Sequence, residues 1–242
     1  MTDCFFLGFP YEFKNICLIY PPKVSDVACN KNFYSYVHLL TLSQEGIEDE
    51  YTRRGIDLDN LPTPMEYILS NAYHSLQFRV LVENAFFFFT HEKIHFLYEK
   101  KAIALGDLQE AKKVENLRVL SEEDYFDFQN FIRESIGAKT VERPNPNEDP
   151  RVKKIKAKAR YRDYIKAKKG MGLNLKSSLA SIFCMNMGLN PLNIGEMSYA
   201  AIPALISMYQ QKEKYEIDVD SLLAGADSKK VHPMYWIKNL DE

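Results

Sequence analysis

His91-Glu92-Lys93-Ile94-His95 is the stretch whose residue types and spacing point most directly to chemistry. In the pattern H-E-x-x-H, two histidines one helical turn apart hold a zinc ion, and the glutamate serves the metal-bound water as general base. A third ligand is needed, and Glu115 stands at a suitable distance downstream. Two features weigh against this reading. The residues Ile94 to Tyr98 (IHFLY) are β-formers, and in an extended chain the two histidines are not a ligand pair. The surroundings of Glu115, KKVENLRV, offer no carboxylate or histidine to orient it. The stretch is therefore read as a turn between a helix and a hairpin, with no metal site.

The other reactive residues do not assemble into a catalytic set. His38, His74 and His232 are scattered, and the first two are expected at the core edge of helices. Cys4, Cys17, Cys29 and Cys184 show no C-x-x-C spacing and read as reduced, mostly buried thiols. The acidic run Glu122-Glu123-Asp124 follows Ser121, where negative charge complements the first turn of a helix. Gly170-Met171-Gly172 reads as a helix stop, because no G-x-x-x-x-G-K-[ST] phosphate loop accompanies it. No G-x-S-x-G or G-x-G-x-x-G occurs. The expectation is a protein without enzymatic activity and without a cofactor.

Charge is the strongest remaining signal. Residues 151–169 carry ten Lys or Arg against one Asp, a local charge of +9, whereas the 242-residue chain sums to −2. The remainder must therefore carry about −11. A polyanion meeting this molecule would feel an acidic body as well as a basic rod, so protein contact is favoured over nucleic acid. The apolar residues of the run, Val152, Ile155, Ala159, Tyr161, Tyr164 and Ile165, spread around the helical wheel and give it no stripe to bury. It reads as a linker helix whose cations face water or an acidic protein surface, including the chain's own acidic half.

The elements that position these residues follow from periodicity and punctuation. Ile16–Tyr20 reads as a strand ending at Pro21-Pro22, and residues 31–45 as a helix with Gly46 beyond its end. Thr63-Pro64-Met65-Glu66 is a capping box with proline at the first helical position, and the apolar spacing behind it predicts one long helix to about Phe88. The run Phe86–Phe89 reads first as a helix end buried on all sides, with a partner-binding surface as the alternative. IHFLYEKKAIALG predicts a hairpin, Asp107 a further helix, and Ser121 a helix to Gly137 with Tyr125, Phe128, Phe131 and Ile132 buried. Helices are expected over 175–187 and 198–214, with Pro203 kinking the latter if it falls inside, and a short segment over 221–224. The Pro- and Asn-rich stretch 138–150 is the expected domain boundary.

The fold class is thus mainly α with a small β component. An N-terminal α+β domain (1–137) is expected, then a linker (138–150), then a basic helix and small C-terminal helical domain (151–242). Hydrophobic residues at 46% and aromatics at 13% exclude a disordered chain. MTDCFFLGFPYEF lacks the basic stretch and long apolar core of a secretion signal, and no apolar run approaches about 20 residues, so a soluble intracellular protein with no membrane contact is expected.

Several segments together resemble one family. FPYEF (9–13) with ICLIYPPKVSDV (16–27), LPTPMEYIL (61–69), DFQNFIRESIG (127–137), the basic segment with its flanks (144–175), and the C-terminal stretch from Asn190 to Leu240 are similar to tail assembly chaperones of long-tailed bacteriophages. The Gly-Leu-Asn-Pro of 188–191, Lys-Tyr-Glu-Ile-Asp of 214–218 and Tyr-Trp-Ile of 235–237 carry most of this likeness. The resemblance implies a non-enzymatic role in the host cytoplasm. Such a protein would bind the tape-measure protein, keep its apolar segments soluble and present them to the tail tube protein, with self-association a further option. A structural part of the virion, such as a baseplate, neck or tail subunit, is the alternative. The expected partner-binding residues are Lys153, Lys154, Lys156, Arg160 and Arg162 on the basic helix, and Tyr235 and Trp236 near the C-terminus.

Overall fold

The computed structural model describes residues 3–55, 61–107, 117–143, 149, 151–152, 155–156, 158–160, 162, 175–185, 188–227 and 230–234. The protein is mainly α with two small antiparallel sheets. A short helix α1 (Asp3–Phe6) leads into a hairpin of β1 (Tyr11–Phe13) and β2 (Cys17–Ile19), paired Tyr11↔Ile19 to Phe13↔Cys17. Lys14 and Asn15 turn the hairpin with φ of 48° and 56°, the left-handed pair that matches strand twist. Helices α2 (Val24–Cys29), α3 (Phe33–Leu40), α4 (Gln44–Arg54), α5 (Pro64–His74) and α6 (Leu76–Thr90) follow. The second sheet has the order β3 (Ile94–Leu97), β4 (Ala102–Leu105), β5 (Arg118–Leu120), and its central strand is buried along its whole length. Helix α7 (Glu122–Ser135) completes the N-terminal part; α8 (Leu175–Cys184) and α9 (Ala201–Leu223) lie beyond the basic segment.

The main core is aromatic. Phe86 of α6 stacks on Phe128 of α7 with centroids 5.3 Å apart and rings within 7° of parallel, and Phe13 of β1 meets Phe128 edge-on. Phe5, Phe33, Phe89, Ile103, Leu120 and Ile132 fill the space around them and are solvent-free. Helix α7 also satisfies the end of α3: the Gln129 amide donates to Leu42 O at 2.7 Å and the buried Arg133 guanidinium donates to Thr41 O. Thr41 is the C-cap of α3, whose carbonyl a helix end leaves without a partner, and a cation there complements the dipole.

The C-terminal part is tied to the start of the chain. Ser198 Oγ donates to Phe5 O at 2.6 Å, Tyr199 N to Pro22 O at 2.8 Å, and Val24 N to Met197 O at 2.9 Å. A small second core joins Val24 of α2 to Ile182 of α8, Ile194, and Ile202 of α9, while Ala200 belongs to the main core. Gly137, with φ +71°, lets the chain leave α7 where a Cβ would sit 2.6 Å from Ala200 O. The predicted boundary stretch is described at 138–143, where it runs back along the outside of α7. There Asn130 holds both Val141 N and Val141 O at 3.0 Å.

The structure corrects several sequence expectations. The helix expected over 31–45 ends at Leu40; Ser43 then caps α4 by accepting from Gly46 N, so Gly46 lies inside a helix. The long helix expected from Thr63 is two helices, because Ser75 is extended (φ −133°, ψ 113°) and its hydroxyl caps α6 at Phe78 N. Strand β5 was not expected, and the segment around 221–224 is the last turn of α9. Pro203 sits in the first turn of α9, where its missing N–H has no intrahelical acceptor to lose. His38 and His74 are exposed, not at the core edge, and of the four thiols only Cys17 is buried. Phe86 and Phe89 are core and Phe88 is half-buried, but Phe87 is 54% exposed. The helix expected at Asp107 falls on residues outside those described.

Candidate interaction surface

Helix α6 ends at the H-E-x-x-H pattern. His91 takes the left-handed conformation (φ 57°) that stops α6, and its ring stacks on Tyr20 with centroids 4.0 Å apart. His95 lies in β3, its Nε2 3.2 Å from Gly106 O. Glu92 is ion-paired to Arg118 of β5; burial pushes its carboxyl above the usual range while Arg118 opposes the shift. A turn and a strand separate the two imidazoles, so the residues work as a helix stop and a sheet brace. Glu115 lies outside the described residues, and among the described residues no group of three His, Cys, Asp or Glu side chains gathers as a metal site.

The acidic first turn of α7 is also structural. Lys14 of the β1–β2 turn bridges Asp124 and Asp127, both at 2.7 Å. Hydrogen bonding to Lys14 holds the two carboxyls below their ordinary range, and hydrogen bonding to Asp124, then Asp127, raises the ammonium of Lys14. Ser121 caps the helix at Asp124 N.

The basic segment is helical at its described positions. Val152 and Ile155 are exposed at 41% and 68%, as expected of a helix with no apolar stripe. Among its described residues Arg160 is the half-buried one. Nε and Nη2 donate to Asp49 Oδ2 and Oδ1 at 3.0 and 3.3 Å, and Nη1 lies 3.0 Å from Glu45 Oε2. Partial burial would lower the Arg160 pKa, but Asp49 and Glu45 outweigh it and hold it raised. Both carboxylates belong to α4, whose sequence QEGIEDEYTRR places four acids within six residues. The basic run thus meets an acidic surface of its own chain at Arg160. Lys156 and Arg162 face outward. Lys153, Lys154, Tyr235 and Trp236 lie outside the described residues.

An apolar stripe, of which the sequence reading reaches only Phe87 through the Phe86–Phe89 run, lies on the outer face of α6. Leu76, Val80 and Phe87 are 75%, 45% and 54% exposed, and their spacing puts them on one side of the helix. Between them Arg79 pairs with Glu83 at 3.0 Å and lies 5.5 Å over the Phe96 ring. The same helix buries Val82, Ala85, Phe86 and Phe89 on its inner face. Leu76 and Val80 complete it as apolar residues at i, i+4 and i+11 with Phe87, a spacing that the preferred core reading of Phe86–Phe89 leaves unused. Comparison with protein-family models, curated proteins and solved structures found no match to this chain.

Proposed function

We propose that the chain acts without catalysis as a tail assembly chaperone of long-tailed bacteriophages, in the host cytoplasm, holding apolar helical segments of the tape-measure protein for the tail tube. The observation that supports it best is the apolar outer face of α6. This helix is anchored by Phe86 and Phe89 in the core and presents Leu76, Val80 and Phe87 to solvent. A rigid helix with an uncovered apolar stripe suits a second amphipathic helix laid against it. Its Arg79–Glu83 pair supplies a polar register mark between the apolar positions.

The test is co-expression with the tape-measure protein. The wild-type chain co-purifies with it and raises its soluble fraction, and the variant Leu76→Glu/Val80→Glu/Phe87→Glu loses both while keeping its own thermal transition. Equal co-purification by the triple variant, or none by the wild type, refutes the reading. Presence of the chain at fixed copy number in purified virions identifies it as a structural subunit instead.

A further inference from the structure

The outer face of α5 borders a groove of about 580 Å³. Glu66, Ser70 and Tyr73 stand a turn apart along the helix and line it, with Leu69, 5% exposed, at its base. The turn between β3 and β4 supplies Tyr98 and Lys101 to the same groove. Ligand pockets typically run from roughly 300 to 1,000 Å³, and this volume lies inside that range.

Two independent observations mark the groove as built for an occupant. The first is aromatic. Tyr73 is 69% exposed, and its ring meets that of Tyr98 at 79° with centroids 5.2 Å apart. Phe96 of β3 stacks on Tyr98 with centroids 5.9 Å apart and rings within 13° of parallel, which holds Tyr98 in place. Tyr73 and Tyr98 thus form a fixed aromatic corner and not a lone exposed ring. The second observation is a polar pair in the same groove. Lys101 donates to Glu66 Oε1, while Glu66 Oε2 accepts from Thr63 N at 3.0 Å. Lys101 does so from a left-handed backbone position (φ 47°), a conformation that a side chain other than Asn, Asp or His rarely adopts and that concentrates at functional sites. Hydrogen bonding to Lys101 keeps the Glu66 carboxyl below its ordinary range, and hydrogen bonding to Glu66 keeps the ammonium above its own. Both partners are therefore charged at neutral pH. Each carboxylate oxygen has a second lone pair and the ammonium has further N–H groups, so the pair can still take a ligand.

Charge decides the class of ligand. The carboxylate and the ammonium that line the groove are paired with each other. An anion would meet Glu66, a cation would meet Lys101, and a purely apolar occupant would strip water from both. Two neighbouring hydroxyls avoid all three costs, because one donates to the carboxylate and the other accepts from the ammonium. Sugars combine such hydroxyls with a face of polarised C–H groups, which the negative face of an aromatic ring attracts. The geometry points to a binding site for a neutral saccharide, its C–H face on Tyr73 and two adjacent hydroxyls bridging Glu66 and Lys101. The Ser70 hydroxyl is a further partner along the same wall. This inference stands independently of any role in tail assembly.

The test uses the full-length chain and four neutral disaccharides: maltose, cellobiose, lactose and di-N-acetylchitobiose. Hexaproline and oligothymidylate are probed beside them, because an aromatic corner also suits a proline-rich peptide or a stacked base. Saturation-transfer NMR reads binding through the sugar C–H protons. At least one disaccharide binds saturably, with a Kd in the millimolar range or tighter. Tyr73→Ala lowers its affinity about fivefold, the worth of one aromatic contact, and Tyr73→Phe keeps it within about twofold. Lys101→Gly relieves the left-handed backbone, so the thermal transition holds or rises, yet the affinity falls severalfold. Absence of saturable binding by all four disaccharides overturns the proposal. So does saccharide binding that neither Tyr73→Ala nor Lys101→Gly weakens. Tyr73-dependent binding of hexaproline or oligothymidylate without saccharide binding also overturns it, and assigns the groove to a peptide or a nucleic-acid strand.

Discussion

At Arg160 the basic run grips the rest of the chain, and the energetics of this contact can be worked from geometry. Two carboxylates take three of its N–H groups at 3.0 to 3.3 Å, and the side chain is 29% exposed. Unit charges about 4 Å apart attract by about 4 kcal/mol at an effective dielectric of about 20. Against this stand partial desolvation of three ions and roughly 2 kcal/mol of arginine rotamer entropy. Exposed pairs net about 0.2–1 kcal/mol, and the bidentate geometry puts this one near the top of that range, so Arg160 and Asp49 are expected to couple by about 1 kcal/mol. The assay is a double-mutant cycle of Arg160→Ala and Asp49→Ala read by urea unfolding at low salt, repeated near 1 M NaCl, where the Debye length is about 3 Å. The coupling should fall in high salt. Arg160→Ala should also hasten tryptic cleavage within 151–169. A coupling within about 0.3 kcal/mol of zero at low salt refutes the view that this contact secures the basic helix to α4.

Four further outcomes follow from individual side chains and turns. Gly137→Ala should cost about 3 kcal/mol in urea unfolding, because a left-handed φ and a Cβ 2.6 Å from Ala200 O coincide there. Gly55→Ala, at φ +68° with open space around it, should cost only about 1 kcal/mol. Lys14→Gln should flatten the acid limb of the stability profile. Asp124 and Asp127 have folded pKa values depressed chiefly by Lys14, so their contribution is present above the unfolded carboxylate pKa of about 3.9 and is lost as pH falls through the folded value. An unchanged slope of unfolding free energy between about pH 4 and 2 excludes the Lys14 bridge as its source. In thiol labelling of the native protein, Cys29 and Cys184 should react first and Cys4 more slowly. Cys17, buried and with its thiol pushed up to about 12, should react only on unfolding.

What the sequence made legible is what is decided locally. The Thr63 box is visible because both its bonds close within three residues, Thr63 N to Glu66 Oε2 and Glu66 N to Thr63 Oγ1. The β3–β4 hairpin and the start of α7 are local in the same sense, since apolar runs and a capping serine lie next to the turns they specify. Ser75 was missed because a serine inside a helical pattern has two readings, and the apolar spacing continues unbroken across it. Strand β5, three residues long, has no periodicity of its own and exists by pairing with β4.

The surfaces were legible in kind and not in place. A +9 run in a chain that is otherwise −11 requires an acidic counterpart or solvent, and the four acids of α4 and the four over 122–127 are equally dense candidates between the N-terminus and the run. Which acid meets which base is fixed by packing across 111 residues, with α4 carried on the core by Ile47 and the turn before it held by Gln129 at Leu42. The three helix starts around Tyr125 belong to the same class of fact. Thr63 and Ser121 each announce a helix in the sequence and Ser43 does not, but only the folding of α7 against α4 and α5 brings the three starts to one cavity.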